Sequence, residues 1–314
     1  MVDDVLYIIG NGFDRHHGVS SGYDSFRFWL RKHNLELFYL LQEFCNADFL
    51  WSEFERALGF MSREYFLSSG EILLPTDWDP DRDPYADLFL AEDFTRNSAD
   101  MFWKDIQKSF RKWICSVQWH PQYSNRKVML DTQARFITFN YTPFLETQYG
   151  IPEEQILYIH GKSYSKKNPP ILGHDGSDHF EEDFQKMSKR RQAFYTGPDR
   201  YLPEIEFMTE SAETFDEESC KPVGEILKKH QSFFEDLYDI KHVYVLGHSL
   251  GSVDLPYFRK VVACNDYPSE MCWHISYYSD NSKQMYEDIV RSQIAHPGSP
   301  VTSFRLEDIL LKKK

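Results

Sequence analysis

The chain has 314 residues, of which 41% are hydrophobic and 16% aromatic, enough to bury a substantial core and too many for a disordered protein. A net charge of −14 argues against sequence-independent nucleic-acid binding, which needs lysine and arginine to displace phosphate counterions. No basic leader and no run of about 18 apolar residues is present, so neither a signal peptide nor a membrane span is expected and the cytoplasm is the expected location.

The first element is a short apolar run, Leu6-Tyr7-Ile8-Ile9, which enters Gly10-Asn11-Gly12-Phe13-Asp14. It reads as a buried strand ending in a turn that only glycine lets fold sharply. Such a turn can place main-chain N–H groups near a phosphate or ribose, or it can simply join a strand to a helix. The third glycine of the full dinucleotide fingerprint is missing, and so is the Gly-Lys-Ser/Thr of a P-loop. The polar stretch Asp14 to Gly22 is expected to be a loop. Adjacent His16 and His17 lack a partner at metal-ligand spacing, so no metal site is expected. Helices follow: Tyr23 to Leu30, then Leu35 to Phe60, where apolar residues including Trp51 recur at three- and four-residue steps. Leu73 to Arg96, rich in proline and aspartate, reads as a loop, and Met101 to Val117 as a strong helix ending before Pro121.

Arg135 to Phe139 is a predicted strand that delivers Asn140-Tyr141-Thr142-Pro143, and Ile156 to Ile159 is a second that delivers His160-Gly161. The polar segment up to Lys221 reads as an insertion, with Ile171 to His174 as one more short strand and turn. Gly224 to Leu237 is a predicted helix, on which His230 is a packed or half-exposed residue rather than a ligand. Val243 to Leu246 is a strand running into Gly247-His248-Ser249-Leu250-Gly251. Met271 to Tyr278 is another, and Val301 to Leu306 adds an edge. Strands separated by helical or long segments pair in parallel, so the expected class is α/β, with a parallel, Rossmann-like sheet, helices on both faces and a helical insertion. The expected organisation is a single α/β domain over 1–314, with a helical insertion at about 35–120 and a polar insertion at about 162–222. Polar or glycine-rich turns follow four of the predicted strands, and ligands of such sheets lie outside the carboxyl ends. That asymmetry points to a functional site and away from a pure scaffold.

Taken together, Ile8 to Asp14, Trp51 with Glu55, Thr138-Phe139-Asn140-Tyr141-Thr142, His160-Gly161, and Gly247-His248-Ser249-Leu250 with Asp254 resemble the AbiH family of bacterial abortive-infection proteins. That family is in turn similar to the sirtuin-like fold, where comparable motifs surround NAD. The resemblance implies an antiviral protein that binds NAD and hydrolyses it. It assigns Asn140 and His160 to catalysis, His160 as the base and Asn140 positioning ribose or water. Gly10, Asn11, Gly12, Phe13 and Asp14 would form the cofactor turn, with Gly247, His248, Ser249 and Asp254 completing the binding site. Ser249 and Asp254 are equally suited to capping a helix. Two departures stand out: Asn11 replaces a small alanine, and Thr142 stands where many sirtuin-like proteins carry aspartate. The five cysteines form no Cys-x-x-Cys pair and no four-cysteine zinc module, which disfavours protein deacylation. The expected partners are NAD or a related nucleotide, with a second copy of the chain or a phage-derived activator.

Two other classes compete. Gly247-His248-Ser249-Leu250-Gly251 also matches the turn of a serine esterase, with Asp280 and His296 following in the required order. Alternatively, the same strand ends serve a non-catalytic nucleotide sensor.

Overall fold

The computed structural model describes residues 4–45, 50–62, 65–66, 84–118, 126–175 and 214–310. Six parallel strands form one sheet: β1 (Val5–Ile9), β2 (Arg135–Thr138), β3 (Ile156–Tyr158), β4 (His242–Leu246), β5 (Cys272–Tyr277) and β6 (Val301–Arg305). Their order across the sheet is β3-β2-β1-β4-β5-β6, the doubly wound arrangement, flanked by helices. The chain builds outward from β1 to β3, crosses back, and builds outward again from β4. The reversal therefore falls between β1 and β4, where an open α/β sheet leaves a crevice at its carboxyl ends. Register locks this junction, with Ile9 opposite both Thr138 and Leu246.

The chain divides into two compact units. The first, 1–25, 111–171 and 222–314, contains the sheet. Its core cluster combines Leu6, Ile8, Ile137, Val243, Val245, Trp273 and Ile275 with Phe234, Phe258 and Val290. Alternate residues of the central strands thus point to one packed face, and Tyr7, Phe136 and Tyr244 stack on one another on the opposite face. The second unit, 26–110 and 172–221, is built around helices and an aromatic core in which Phe26, Phe54 and Phe110 are fully buried. Trp51, expected as core, is half-buried and stacks between Phe38 and Phe54. A buried ion pair in this unit joins Lys221 Nζ to Glu55 at 2.8 Å. Among the described residues no helix is long and apolar enough to cross a membrane.

Several local expectations need correction. The polar stretch from Asp14 is not all loop, because a short helix α1 occupies Asn11–His16 and buries Phe13 and Asp14. The expected loop over 73–96 gives way at Pro84 to a long helix, Pro84–Ser116. Proline fits a first helical turn, where its missing N–H is not needed, and the remainder of that loop reading, 73–83, lies outside the described residues. Ile171 to His174 forms no strand, only an isolated bridge from His174 to Cys220. The helix expected over 224–237 is broken at His230 into Val223–Lys229 and Gln231–Glu235. Most of the polar segment, 176–213, lies outside the described residues.

Candidate active site

The turn after β1 and the turn after β4 meet backbone to backbone. Gly10 N–H donates to Leu246 O at 2.9 Å, and Gly12 N–H donates to Gly247 O at 2.7 Å. A Cβ on Gly10 would lie 2.5 Å from His248 Cα, one on Gly12 would lie 2.7 Å from Gly247 O, and one on Gly247 would lie 2.1 Å from Phe13 N. Gly247 also adopts φ +64, a left-handed conformation. Close approach of two turns thus explains all three glycines. Phe13 N–H donates to Gly10 O at 2.9 Å, so the Gly12 and Phe13 amides are both committed inside the protein. Asn11 turns its side chain onto Ser21, donating from Nδ2 to Ser21 O at 3.1 Å and accepting from Ser21 Oγ at 2.5 Å. Gly247→Ala should combine backbone strain with a main-chain clash and cost about 2 kcal/mol or more, read as a drop in Tm. A wild-type Tm would contradict this packing.

On one side of the junction lies a buried carboxyl. Asp14, on α1 and 1% exposed, accepts a hydrogen bond from Asn140 Nδ2 at 2.8 Å and another from the Thr142 hydroxyl. Asn140 Nδ2 also donates to Gly10 O at 3.1 Å, and its backbone N–H donates to Thr138 Oγ1 at 3.1 Å. Burial pushes Asp14 up to about 7, against the opposing effect of the hydrogen bonds from Thr142 and Asn140. Where the resemblance implies a carboxylate at position 142, Thr142 instead donates to that of Asp14. Both Asn140 amide hydrogens are spent, so Asn140 can offer a ligand only its carbonyl oxygen, Oδ1, which has no hydrogen bond within the described chain.

After β3 and β4, two buried histidines flank one carboxylate. His160 Nε2 lies 3.6 Å from Asp254 Oδ1, and His248 Nε2 lies 3.3 Å from Asp254 Oδ2. Leu250 N–H donates to His248 Nδ1 at 2.9 Å, so neutral His248 carries its proton on Nε2, facing Asp254. Leu250 returns its amide to the ring by taking φ +55, an unusual conformation for a branched residue. Phe139, next to Asn140 in sequence, packs edge-on against both imidazoles, with ring centroids 5.3 Å and 4.4 Å away. Polar groups therefore collect at four strand ends: Asp14, Gly10 and Asn140 are joined by hydrogen bonds, and His248, Asp254 and His160 lie within 3.6 Å of one another in turn.

The family model described as bacteriophage abortive infection AbiH matches residues 6–277. The chain belongs to the AbiH family. No curated protein and no solved structure gave a significant match. Membership places this chain among bacteriophage abortive-infection proteins, and the match runs from β1 to the end of β5, so it contains every one of these polar groups. The AbiH chain brings together Gly10, Gly12, Asp14, Asn140, His160, Gly247, His248 and Asp254. Phe13 serves as core, fully buried and packed on His17 and Phe144, and Ser249 is exposed.

The esterase arrangement is not assembled. Asp280 pairs with Arg305 at 2.9 Å, His296 Nδ1 bonds the carbonyl of adjacent Pro297 at 3.0 Å, and no hydrogen bond among the described residues joins either to Ser249. The left-handed residues of the turn are Gly247 and Leu250 rather than Ser249, unlike a strained nucleophile turn. A fluorophosphonate probe should therefore leave Ser249 unlabelled, and labelling lost in Ser249→Ala would contradict this assignment.

His17 proves to be a satisfied core histidine. Its Nδ1–H donates to Phe13 O at 2.7 Å, and its Nε2 accepts from Tyr149, whose oxygen already accepts Val128 N–H. Among the described residues no group of three or more His, Cys, Asp or Glu side chains could hold a metal. Sequence reasoning gave Thr142 no role and overlooked Tyr158. Thr142 carried a signal as a departure from the sirtuin-like pattern, whereas Tyr158 ends an apolar strand and looks like core.

Proposed function

We propose that this AbiH-family protein acts in abortive infection by binding NAD at the carboxyl edge of its sheet and hydrolysing the bond between nicotinamide and ribose. One observation carries the reading: buried polar side chains stand on both sides of the β1/β4 junction, the place where doubly wound sheets take nucleotides. Hydrolysis of this bond passes through an oxocarbenium-like transition state, and nicotinamide leaves as a neutral ring that needs no acid. Water then adds to the ribose carbon and loses a proton. His160 takes that proton, and Asp254, 3.6 Å from its Nε2, offsets the new charge. His248 holds Asp254 from the other side through its Nε2–H. Asn140 Oδ1 accepts a hydrogen bond from the substrate or the attacking water. Because the Gly12 and Phe13 amides are committed, no phosphate contact is assigned to them.

The test is incubation of purified protein with NAD and chromatography of the products. Equal amounts of nicotinamide and ADP-ribose are expected. A protein that binds no NAD at about 1 mM, an affinity of about 4 kcal/mol, would remove the reading.

A further inference from the structure

Three buried polar atoms near the ends of β2 and β3 make no hydrogen bond within the described chain: Asn140 Oδ1, Tyr158 Oη and Ser163 Oγ. Their residues are 6%, 4% and 2% exposed. Native proteins seldom bury a hydroxyl or amide oxygen without a partner, because its hydration is lost and nothing replaces it. The three residues come from adjoining pieces of chain. Tyr158 is the register partner of Thr138, whose hydroxyl accepts the Asn140 N–H. Ser163 N–H donates to Tyr141 O at 2.7 Å.

Their hydrogen-bonding roles are fixed by what surrounds them. Asn140 has spent both amide hydrogens on Gly10 and Asp14 and presents an acceptor only. Burial pushes the Tyr158 phenol up, and the charges of Glu146, Asp14 and Glu153 push it further, so it stays protonated and serves as a donor. Lys162 lies 5.0 Å over the Tyr158 ring, but its ammonium is held by Glu146 at 2.7 Å and Glu153 at 3.2 Å. That ammonium is thus already countered by two carboxylates. What results is one carbonyl acceptor and two hydroxyls in acidic surroundings. An uncharged group carrying both an N–H and a carbonyl suits them: its N–H₂ donates to Asn140 Oδ1 while its oxygen accepts from Tyr158 and Ser163. A carboxylate in that place would face the lone pairs of Asn140 and the charge of Glu146.

We propose that Asn140 Oδ1, Tyr158 and Ser163 form a subsite that reads the carboxamide of nicotinamide and rejects the carboxylate of nicotinic acid. The identity of the ligand rests on the NAD reading above, whereas the preference for amide over acid follows from these three groups.

The experiment measures binding of free nicotinamide and free nicotinic acid to the full chain by calorimetry, alongside NAD turnover. Wild type should bind nicotinamide at least about 10-fold more tightly than nicotinic acid. Tyr158→Phe and Ser163→Ala should each weaken nicotinamide about 3- to 10-fold, the value of one neutral hydrogen bond, and narrow the preference. Neither variant removes a side-chain hydrogen bond made among the described residues, so their Tm should not fall, which separates a reading role from a structural one. A protein that turns over no NAD yet keeps a Tyr158-dependent preference for nicotinamide retains the subsite and loses the hydrolase. Equal binding of the two compounds, binding of neither at about 10 mM, or a preference unchanged in both variants overturns the subsite.

Discussion

Asp14→Asn is expected to stabilise the protein relative to wild type by on the order of 4 kcal/mol more at pH 7 than at pH 4. The folded chain holds the Asp14 proton up to about 7 because burial disfavours the carboxylate, while the unfolded chain releases it near 3.8. Between those values the native state binds more protons, so wild-type stability from this group falls as pH rises and is lost above about 7. His17 works in the opposite sense. Burial drives it down to about 4 from 6.5, so the unfolded chain gains a proton first and stability falls as pH drops through that window, by about 3 kcal/mol. The two windows nearly coincide, and in wild type the slopes largely cancel. Each variant therefore exposes the other group: Asp14→Asn should lose stability on acidification, and His17→Gln should lose it as pH rises from 4 to 7. Urea unfolding of the three proteins across this range is the measurement. An Asp14→Asn curve parallel to wild type would show that the carboxyl titrates normally.

The second large effect is expected in catalysis. His160→Ala should lower nicotinamide release from NAD by about 10²- to 10⁴-fold, the usual range for a general base. Asp254→Asn should give a smaller loss, because it leaves the base in place but no longer offsets its charge. The double variant should be little worse than His160→Ala alone, since groups acting as a unit are not additive. His160 is 3% exposed, so His160→Gln is needed beside the alanine variant to keep the space filled. Circular dichroism and Tm separate lost chemistry from lost fold, and protection of cells against phage should follow activity. Turnover at the wild-type rate in both His160 variants would take the base assignment away from this residue.

The strands were legible because each is a run of branched or aromatic residues ending in a turn, and all six fall within a residue or two of where those runs lie. The edge at which polar residues collect was legible for the same reason: strand ends can be counted from the sequence. The glycines were harder. Gly10 and Gly12 look the same whether they approach a phosphate or another backbone, and the decisive neighbour, Gly247, is remote in sequence. Asp14 reads as part of a solvated charged cluster with Arg15, His16 and His17. Its burial follows from Asn140 and Thr142, which only the folded sheet brings to it. Helix α1 was hidden by the same residues, since a six-residue helix containing Gly12 owes its stability to tertiary packing rather than propensity.

The strand order also governs when the protein can become active during its own synthesis. β1 is made first yet lies at the centre of the sheet, and one of its two neighbours, β4, is not complete until Leu246. A nascent chain that has already produced Asp14, Asn140 and His160 still lacks the turn at Gly247 against which Gly12 is seated, and lacks His248 and Asp254 as well. Pairing over such sequence distances is slow, and it comes late. On the reading proposed above, ribosome-bound or prematurely terminated chains would be inert, so a cell making an enzyme that consumes its own NAD would meet the activity only from molecules translated past Asp254.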